Sequence, residues 1–331
     1  MKKKMSAVLA LVGTAALALA GCAHSPSDSQ GQSGASGDKA YTVGIAQYVS
    51  HPSLDAAVKG FKAALTDAKL NVTYDVQNAQ GDQGTATAIA QKFASQKPDL
   101  VLAVATPMAQ SVAQNVADTP VLFTAVTDPV AAQLVDSNEK PGANVTGTTD
   151  LNPVAEQIDL VKKVLPQAKS VGVVYSSGEV NSEVQVKLAK TQAQKQGLTL
   201  VEKKITNSSE VVQAVQTLGD VDAIYVPTDN MVVSALDSVL QIAQEKKILV
   251  VTGEATSVEK GGALTYGLDY EKLGRQTGEM AVKILTGGAD PATTPVEAQA
   301  DPQLVVNPHA AELMGTPLPK ELLEKADRTI E

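Results

Sequence analysis

The side chains best suited to bind a ligand follow predicted strands, in two groups of different chemistry. The first group combines polar side chains with a helix-starting proline: Gln47, His51, Ser53, Thr106, Pro107, Thr127 and Asp128. The second group is richer in carboxylates: Tyr175, Glu179, Asn181, Asp229, Asn230 and Glu254. Hydroxyls and the free amides of helix N-termini suit a carboxylate, whereas side-chain carboxylates suit an ammonium group. A zwitterionic amino acid satisfies both groups, because its charges are paired as they are buried.

Most of these residues also have a purely structural interpretation. The typical helix caps and turn formers among them and beside them are Ser53, Thr106, Thr127, Asp150 and Asp229. A lone histidine before a proline, as at His51, is commonly a surface turn residue. Tyr48, Met108 and Met231 fit an apolar side-chain pocket or ordinary core packing equally well. Taken together, the candidates indicate a binding site more strongly than any one of them does, because they all follow successive predicted strands at the same end of the sheet.

One strand, turn and helix start organises the pattern, at residues 99–110. Leu100 to Val104 is an apolar run typical of a buried strand, and Thr106-Pro107 predicts a capping residue followed by a helix. Such a turn lies at the carboxyl end of a parallel sheet, where α/β proteins bind ligands. The same unit recurs from Asp222, so the sequence predicts two similar halves.

In both halves, strands alternate with helices, which predicts an α/β fold with parallel sheets in two Rossmann-like lobes. We expect the first lobe to comprise 41–147 plus about 268–290, and the second 148–267 plus about 300–331. Because the chain then crosses between the lobes several times, a multi-strand hinge is expected. The ligand cleft is predicted between the carboxyl ends of the two sheets.

The N-terminal segment is typical of an export signal. Three lysines precede an apolar stretch that is short for a membrane span, so residues 1–21 are expected to be a signal peptide. The segment ends in Leu19-Ala-Gly-Cys22, which resembles the lipobox of bacterial lipoproteins. That resemblance implies lipidation of Cys22 after cleavage. Residues 22–40 are rich in Ser, Gly and Asp, and we expect a flexible tether.

Composition argues against several other functions. The chain has 331 residues, a net charge of −9 and only 3% aromatic residues, which disfavours nucleic acid as a partner. Cys22 is its one cysteine and only three histidines are present, so neither a metal site nor a cofactor is expected. The sequence contains no GxGxxG, P-loop, GxSxG or HExxH motif. Binding is therefore favoured over catalysis, and no catalytic residue is proposed.

The chain resembles the substrate-binding lipoproteins of bacterial ABC transporters of type I, in the tryptophan/tyrosine-uptake subgroup. The similarity is carried by the segments Gln47–Asp55, Ala105–Gln110, Thr127–Val130, Asn144–Asp150, Tyr175–Ser182 and Val226–Asn230. It implies a type I periplasmic binding protein fold. It also implies Thr106 and Thr127 as partners of the ligand's carboxylate, and Asp229 or else Glu254 as the partner of its ammonium group.

The sequence therefore predicts an extracytoplasmic, lipid-anchored and monomeric receptor. We expect it to close on a free L-amino acid, aromatic by family resemblance, and to deliver the ligand to an ABC permease with its ATPase. The alternatives left open are another small ligand, such as a sugar, a nucleoside or a short peptide, and a surface-anchored α/β enzyme.

Overall fold

The computed structural model describes residues 39–331. The predicted signal peptide, the lipidation site at Cys22 and the tether up to residue 38 lie outside these described residues. The strands are β1 (Ala40–Gln47), β2 (Asn71–Asn78), β3 (Leu100–Val104), β4 (Val121–Val126), β5 (Val145–Thr149), β6 (Ser170–Ser176), β7 (Thr199–Ile205), β8 (Ala223–Val226), β9 (Leu249–Thr252), β10 (Leu264–Gly267), β11 (Glu297–Ala298), β12 (Gln303–Val306) and β13 (Arg328–Thr329).

The helices alternate with these strands through most of the chain. They are α1 (Pro52–Asp67), α2 (Gln83–Gln96), α3 (Thr106–Asn115), α4 (Val154–Val164), α5 (Val180–Lys195), α6 (Val211–Gln216), α7 (Asn230–Ser234), α8 (Leu236–Lys246), α9 (Ala255–Glu259), α10 (Tyr270–Leu285), α11 (Pro308–Leu313) and α12 (Lys320–Lys325). The alternation confirms the predicted α/β class, because helices of this length link neighbouring parallel strands.

Each lobe is built on one sheet. The first sheet has the strand order β11-β5-β4-β3-β1-β2 and is parallel throughout. The second has the order β13-β12-β10-β9-β8-β6-β7 and is parallel except where β10 meets β12. The antiparallel pair is a difference from the expected all-parallel sheet. It arises because β12 returns from the other lobe without a crossover helix of its own.

The two halves contain the same aspartate hydrogen bonds at corresponding positions. Asp99 accepts hydrogen bonds from the backbone N–H and the hydroxyl of Thr42, at 2.7 and 2.9 Å. Asp222 likewise accepts from the backbone N–H and the hydroxyl of Ser170, both at 2.9 Å. Each aspartate thus joins the residue before a central strand to the first strand of its lobe. The structure confirms the internal repeat that the sequence predicts.

The chain crosses between the lobes three times, at residues 150–153, 268–269 and 299–302. The crossings are hydrogen-bonded to one another. Leu268 donates its backbone N–H to Asn152 Oδ1 at 3.0 Å, and Asp269 donates its own to Gln299 Oε1 at 2.9 Å. The multi-strand hinge is therefore a single connected unit rather than three independent linkers.

Helices α1 and α10 pack closely in the first lobe, and glycine makes their approach possible. A Cβ atom at Gly274 would lie 1.8 Å from the carbonyl oxygen of Ala57. At Gly60 it would lie 1.9 Å from the carbonyl oxygen of Glu271. Because backbone atoms cannot give way as a flexible side chain can, these positions exclude any side chain while the helices keep this distance.

Gly274→Ala is therefore expected to destabilise the protein by about 1–3 kcal/mol, because the added methyl group forces the two helices apart. The free energy of unfolding, measured by urea denaturation, tests this expectation. Gly288→Ala is the control, since this exposed glycine has no heavy atom closer than 3.4 Å to its added Cβ. A stabilised Gly274→Ala variant would show instead that the helix propensity of alanine dominates.

Candidate functional site

Two connected cavities lie between the lobes. The inner cavity measures about 10 Å³ and is enclosed almost entirely by buried side chains. The outer cavity measures about 140 Å³ and extends to exposed residues. Both are lined by His51 and Ser53 from the first lobe and by Val233 and Glu254 from the second. Since these residues follow β1, β8 and β9, the cavities lie at the carboxyl ends of the strands, where α/β folds place ligands.

Buried polar atoms without partners cluster at this junction. Five of the six buried side-chain atoms that lack a hydrogen-bond partner within residues 39–331 are His51 Nδ1, Ser53 Oγ, Thr106 Oγ1, Glu179 Oε1 and Asn181 Oδ1. All five residues are candidates from the sequence, and they come from both lobes. Because buried polar atoms are almost always paired in proteins, such a cluster indicates where a polar ligand completes the hydrogen bonding.

Glu179 is held on one side only. Its Oε2 accepts hydrogen bonds from Asn181 Nδ2 at 2.9 Å and from Asn230 Nδ2 and backbone N–H at 2.6 and 3.2 Å. Its Oε1 has no partner in the described part of the chain. The residue precedes α5, directly after β6, so the backbone places it at the edge of the second sheet. A ligand that donates to Oε1 would therefore displace no hydrogen bond within the protein.

Asp229 lies close to Glu179 but is fully engaged by its own lobe. Its Oδ2 accepts from the backbone N–H of Ser176 at 2.6 Å and from the hydroxyl of Ser182 at 2.7 Å. Its Oδ1 accepts from the backbone N–H of Val232 at 2.9 Å and so caps α7. In the structure, protein groups therefore donate hydrogen bonds to both oxygens of this carboxylate. The ligand role of Asp229 stays a prediction from the sequence.

Burial raises the pKa of Glu179 from 4.5 to about 8, and the nearby charge of Asp229 adds to the rise. Burial also raises the pKa of Asp229. Because the pKa of Glu179 is higher in the folded than in the unfolded state, its contribution to stability is complete below pH 4.5. That contribution is lost as the pH rises through about 8. Burial of these two neighbouring carboxyl groups therefore favours protonation in the ligand-free site.

In the first lobe, the strand ends adopt an unusual backbone. Ala105 and Ala125 have φ angles of 80° and 56°, values that favour glycine, and such strain concentrates at functional sites. The sequence predicts Thr106 as the capping residue of α3, and this is wrong: the N-cap is Ala105, which provides no side-chain bond, and the helix begins at Thr106. Because the Thr106 hydroxyl does not cap the helix, it remains unpaired at the helix N-terminus beside buried Pro107.

The base of the inner cavity is formed by residues of the hinge. Asp150 Oδ1 accepts from the Thr127 hydroxyl at 3.1 Å, and Asp150 Oδ2 accepts from the Tyr270 hydroxyl at 2.5 Å. Burial raises the pKa values of both Asp150 and Tyr270. Sequence reasoning missed Tyr270 and treated Asp150 only as a turn former. Their positions at predicted crossings were the available signal, because the base of a cleft lies where the lobes are joined.

One close approach joins the lobes directly above the cavity. His51 Nε2 lies 3.5 Å from Asn230 Oδ1, across the interface. Burial lowers the pKa of His51 to about 4, so the ring is neutral at pH 7. Its single proton then lies on Nε2 to face the Asn230 oxygen, and we infer this tautomer from that contact. Nδ1 is consequently an acceptor that is available to a ligand.

The remaining candidates shape the loops around the cavities. Gln47 donates to Asp55 Oδ1 at 2.7 Å, and Asp128 accepts from the backbone N–H of Ala131 at 2.9 Å. The hydroxyl of Tyr175 donates to Glu202 on the adjacent strand. Of the thirteen candidates from the sequence, five line a cavity: His51, Ser53, Asn181, Asn230 and Glu254. The other eight line neither cavity, and they include Thr106, Pro107, Thr127, Glu179 and Asp229.

Two other features are absent from residues 39–331. This range contains no group of His, Cys, Asp and Glu side chains that could hold a metal ion. None of its helices is both long and apolar enough to cross a membrane.

The fold is that of a substrate-binding component of an ABC transporter. Residues 42–330 match the family model of the ABC transporter substrate binding proteins, and the chain belongs to that family. It is 44% identical over 303 residues to the tyrosine-binding protein of Clostridioides difficile strain R20291, covering 88% of each chain. Proteins of this family act outside the cytoplasm and in partnership with a membrane permease.

Two solved structures show how the lobes are arranged. An ABC domain from Streptococcus pneumoniae in complex with L-Trp is 37% identical, with a TM-score of 0.84 over 88% of this chain and 100% of that chain. The ligand-free, open structure of a substrate binding protein with adhesive properties from Clostridium difficile is 45% identical with the same coverage, yet its TM-score is 0.65. The L-Trp complex therefore superimposes on this chain better than the open structure does, although its sequence is less identical.

Proposed function

We propose that this protein binds a free, aromatic L-amino acid between its lobes and delivers it to the permease of an ABC importer. The observation that carries the proposal is a charge imbalance. Asp150, Glu179, Asp229 and Glu254 are buried at or beside the junction of the lobes, whereas no lysine or arginine is buried anywhere in residues 39–331. Buried carboxylates favour a cationic partner, and the ammonium group of an amino acid supplies one.

The ammonium group is assigned to Glu179, because its Oε1 is buried and unpaired. Asp229, the first candidate from the sequence, already has protein donors on both oxygens. The carboxylate is assigned to the Thr106 hydroxyl and to the free backbone amides at the start of α3, since a helix N-terminus favours an anion. We assign Thr127 an indirect role in holding the carboxylate, because its hydroxyl already donates a hydrogen bond to Asp150.

The aromatic side chain is proposed from the relatives, whose descriptions name tyrosine and L-Trp. An inner cavity of about 10 Å³ holds about one water molecule, so a ligand of this size enters only when the lobes part. Hinge closure around an amino acid would then bury the ligand. A sugar, a nucleoside or a short peptide is the alternative ligand, and turnover of a ligand would favour an enzyme instead.

Isothermal titration calorimetry with L-Tyr, L-Trp, L-Phe, L-Leu, glucose and adenosine tests the proposal, with aromatic amino acids expected to bind most tightly. Glu179→Gln is expected to weaken that binding by about 2–5 kcal/mol, because it removes the charge that pairs with the ammonium group.

Glu183→Gln serves as the matched control. Glu183 lies in the first turn of α5, the helix that Glu179 directly precedes. It is exposed and pairs with Lys204, so this variant should bind as the wild type does. Unchanged affinity in Glu179→Gln would reassign the ammonium group to another buried acid. If no amino acid binds to the wild-type protein, the proposed function itself fails.

Binding should also release a proton. Free Glu179 has a pKa of about 8, whereas an ammonium partner stabilises its carboxylate form. Between pH 6 and pH 8 the affinity for the amino acid is therefore expected to rise by up to about tenfold per pH unit. Calorimetry at pH 7 in buffers of different ionisation enthalpy measures the number of protons released. The same titrations with Glu179→Gln should show no such release, and equal release from both proteins would contradict the assignment.

We further propose that the mature protein is a monomer anchored through a lipid on Cys22. The proposal is supported by the lipobox-like sequence Leu19-Ala-Gly-Cys22 and by the placement of the chain's one cysteine there. Cys22→Ala is expected to move the protein from the membrane fraction to the soluble extracytoplasmic fraction, with ligand binding unchanged. Fractionation and mass spectrometry of the mature N-terminus measure this, with Ser25→Ala as the control. Membrane association that survives Cys22→Ala would rule out this anchor.

A further inference from the structure

A glycine of the first lobe and a methionine of the second lie against each other across the junction. Gly81 belongs to the turn between β2 and α2, and Met231 belongs to the first turn of α7. A Cβ atom built on Gly81 would lie 2.8 Å from Met231 Cε and 3.3 Å from its Sδ. The end of the methionine side chain therefore fills the space that a side chain at position 81 would take, and Met231 is only 5% exposed.

The first lobe holds its side of this contact in place. Gly81 donates its backbone N–H to the carbonyl of Tyr48 at 2.8 Å, and its own carbonyl accepts from the Tyr48 hydroxyl at 3.0 Å. The φ angle of Gly81 is 76°, in the left-handed region that favours glycine. Because these partners belong to the first lobe, the turn does not depend on the second lobe for its shape.

The second lobe connects its side of the contact to the buried carboxylates. Met231 directly follows Asn230, whose side chain and backbone N–H both donate to Glu179. The charge of Glu179 also reaches Tyr48 across the junction: burial raises the pKa of Tyr48 to about 12, and this charge adds to the rise. The contact therefore lies beside the group to which we assign the ligand's ammonium, yet neither Gly81 nor Met231 lines a cavity.

Parting the lobes breaks this contact. A ligand too large for the inner cavity leaves only when the lobes separate, and separation returns the end of the methionine side chain to water. Exposing apolar surface costs free energy in proportion to its area. The polar approach of His51 to Asn230 differs, because water can replace its hydrogen bond.

We propose that the packing of Met231 on Gly81 holds the lobes together around a bound ligand and so sets how slowly the ligand is released. This inference rests on the proposed function, since it requires a ligand enclosed between the lobes. It adds two positioning residues that do not touch the ligand. They should therefore act alike on every amino acid that the protein binds.

The release of L-Trp, followed by stopped-flow fluorescence, tests the methionine, because the chain contains no tryptophan of its own. Met231→Ala is expected to raise the dissociation rate by about 3- to 30-fold, since less apolar surface is buried when the lobes meet. The association rate should stay unchanged, because the ligand binds before this contact forms. Calorimetry with L-Tyr should show a loss of affinity by the same factor. Met231→Leu, which nearly conserves the side-chain volume, should stay close to the wild type.

Gly81→Asn tests the same contact from the first lobe. Asparagine tolerates a left-handed backbone, and its side chain would take the place of the Met231 methyl group. This variant should also release L-Trp faster, whereas the same change should have little effect when it is added to Met231→Ala, because the space is then free. Gly287→Asn is the control. Gly287 has a φ angle of 80° and no heavy atom within 4 Å of its added Cβ, so the dissociation rate should not change.

Three results would overturn the inference while leaving the proposed function intact. The first is an unchanged dissociation rate in both single variants. The second is a double variant whose effect equals the product of the two single effects, because the residues would then act independently. The third is a Met231→Ala variant that weakens the binding of L-Trp but not of L-Tyr, which would place Met231 against the ligand's side chain. If no amino acid binds to the wild-type protein, the proposed function fails instead.

Discussion

The rest of the site depends on one electrostatic constraint, the burial of carboxylates where two lobes meet. Asp150, Glu179, Asp229 and Glu254 are each at most 3% exposed, and no lysine or arginine is buried with them in residues 39–331. Carboxylates in such a setting must be satisfied by hydrogen-bond donors, by protonation or by a cation from outside. Helix starts, hydroxyls and side-chain amides satisfy most of their oxygens. Glu179 Oε1 is the carboxylate oxygen left without a partner in residues 39–331.

The same constraint links ligand binding to the movement of the lobes. With the lobes apart, water can solvate the polar atoms that closure buries. With the lobes together, His51, Ser53 and Thr106 on one side and Glu179 and Asn181 on the other keep unpaired atoms. A zwitterion that pairs these atoms favours the closed arrangement, because a ligand shifts a conformational equilibrium by its difference in affinity for the two states. The hinge contributes a rigid base, since Asp150 joins Thr127 to Tyr270.

The apolar periodicity of the sequence and its turn-forming residues were sufficient to predict the α/β fold. The apolar run Leu100–Val104 forms a strand buried along its whole length, and Asp82 caps α2 as its type and position suggest. The internal repeat was visible because Asp99 and Asp222 make the same bonds in both lobes. Thr106 shows the limit of such reasoning. A threonine before a proline is a typical cap, yet the backbone turns one residue earlier, at Ala105 with its φ of 80°.

The sequence by itself indicated five of the residues that line the cavities, namely His51, Ser53, Asn181, Asn230 and Glu254. Their place after successive strands depends on local periodicity alone, and parallel strands present their carboxyl ends at one edge. Only the tertiary structure decided how the carboxylates divide their tasks. Asp229 meets donors from Ser176 and Ser182, whereas Glu179 meets donors on one oxygen only. Such partners come from segments distant in the chain, and a residue's free hydrogen-bonding capacity is known only when every neighbour is in place.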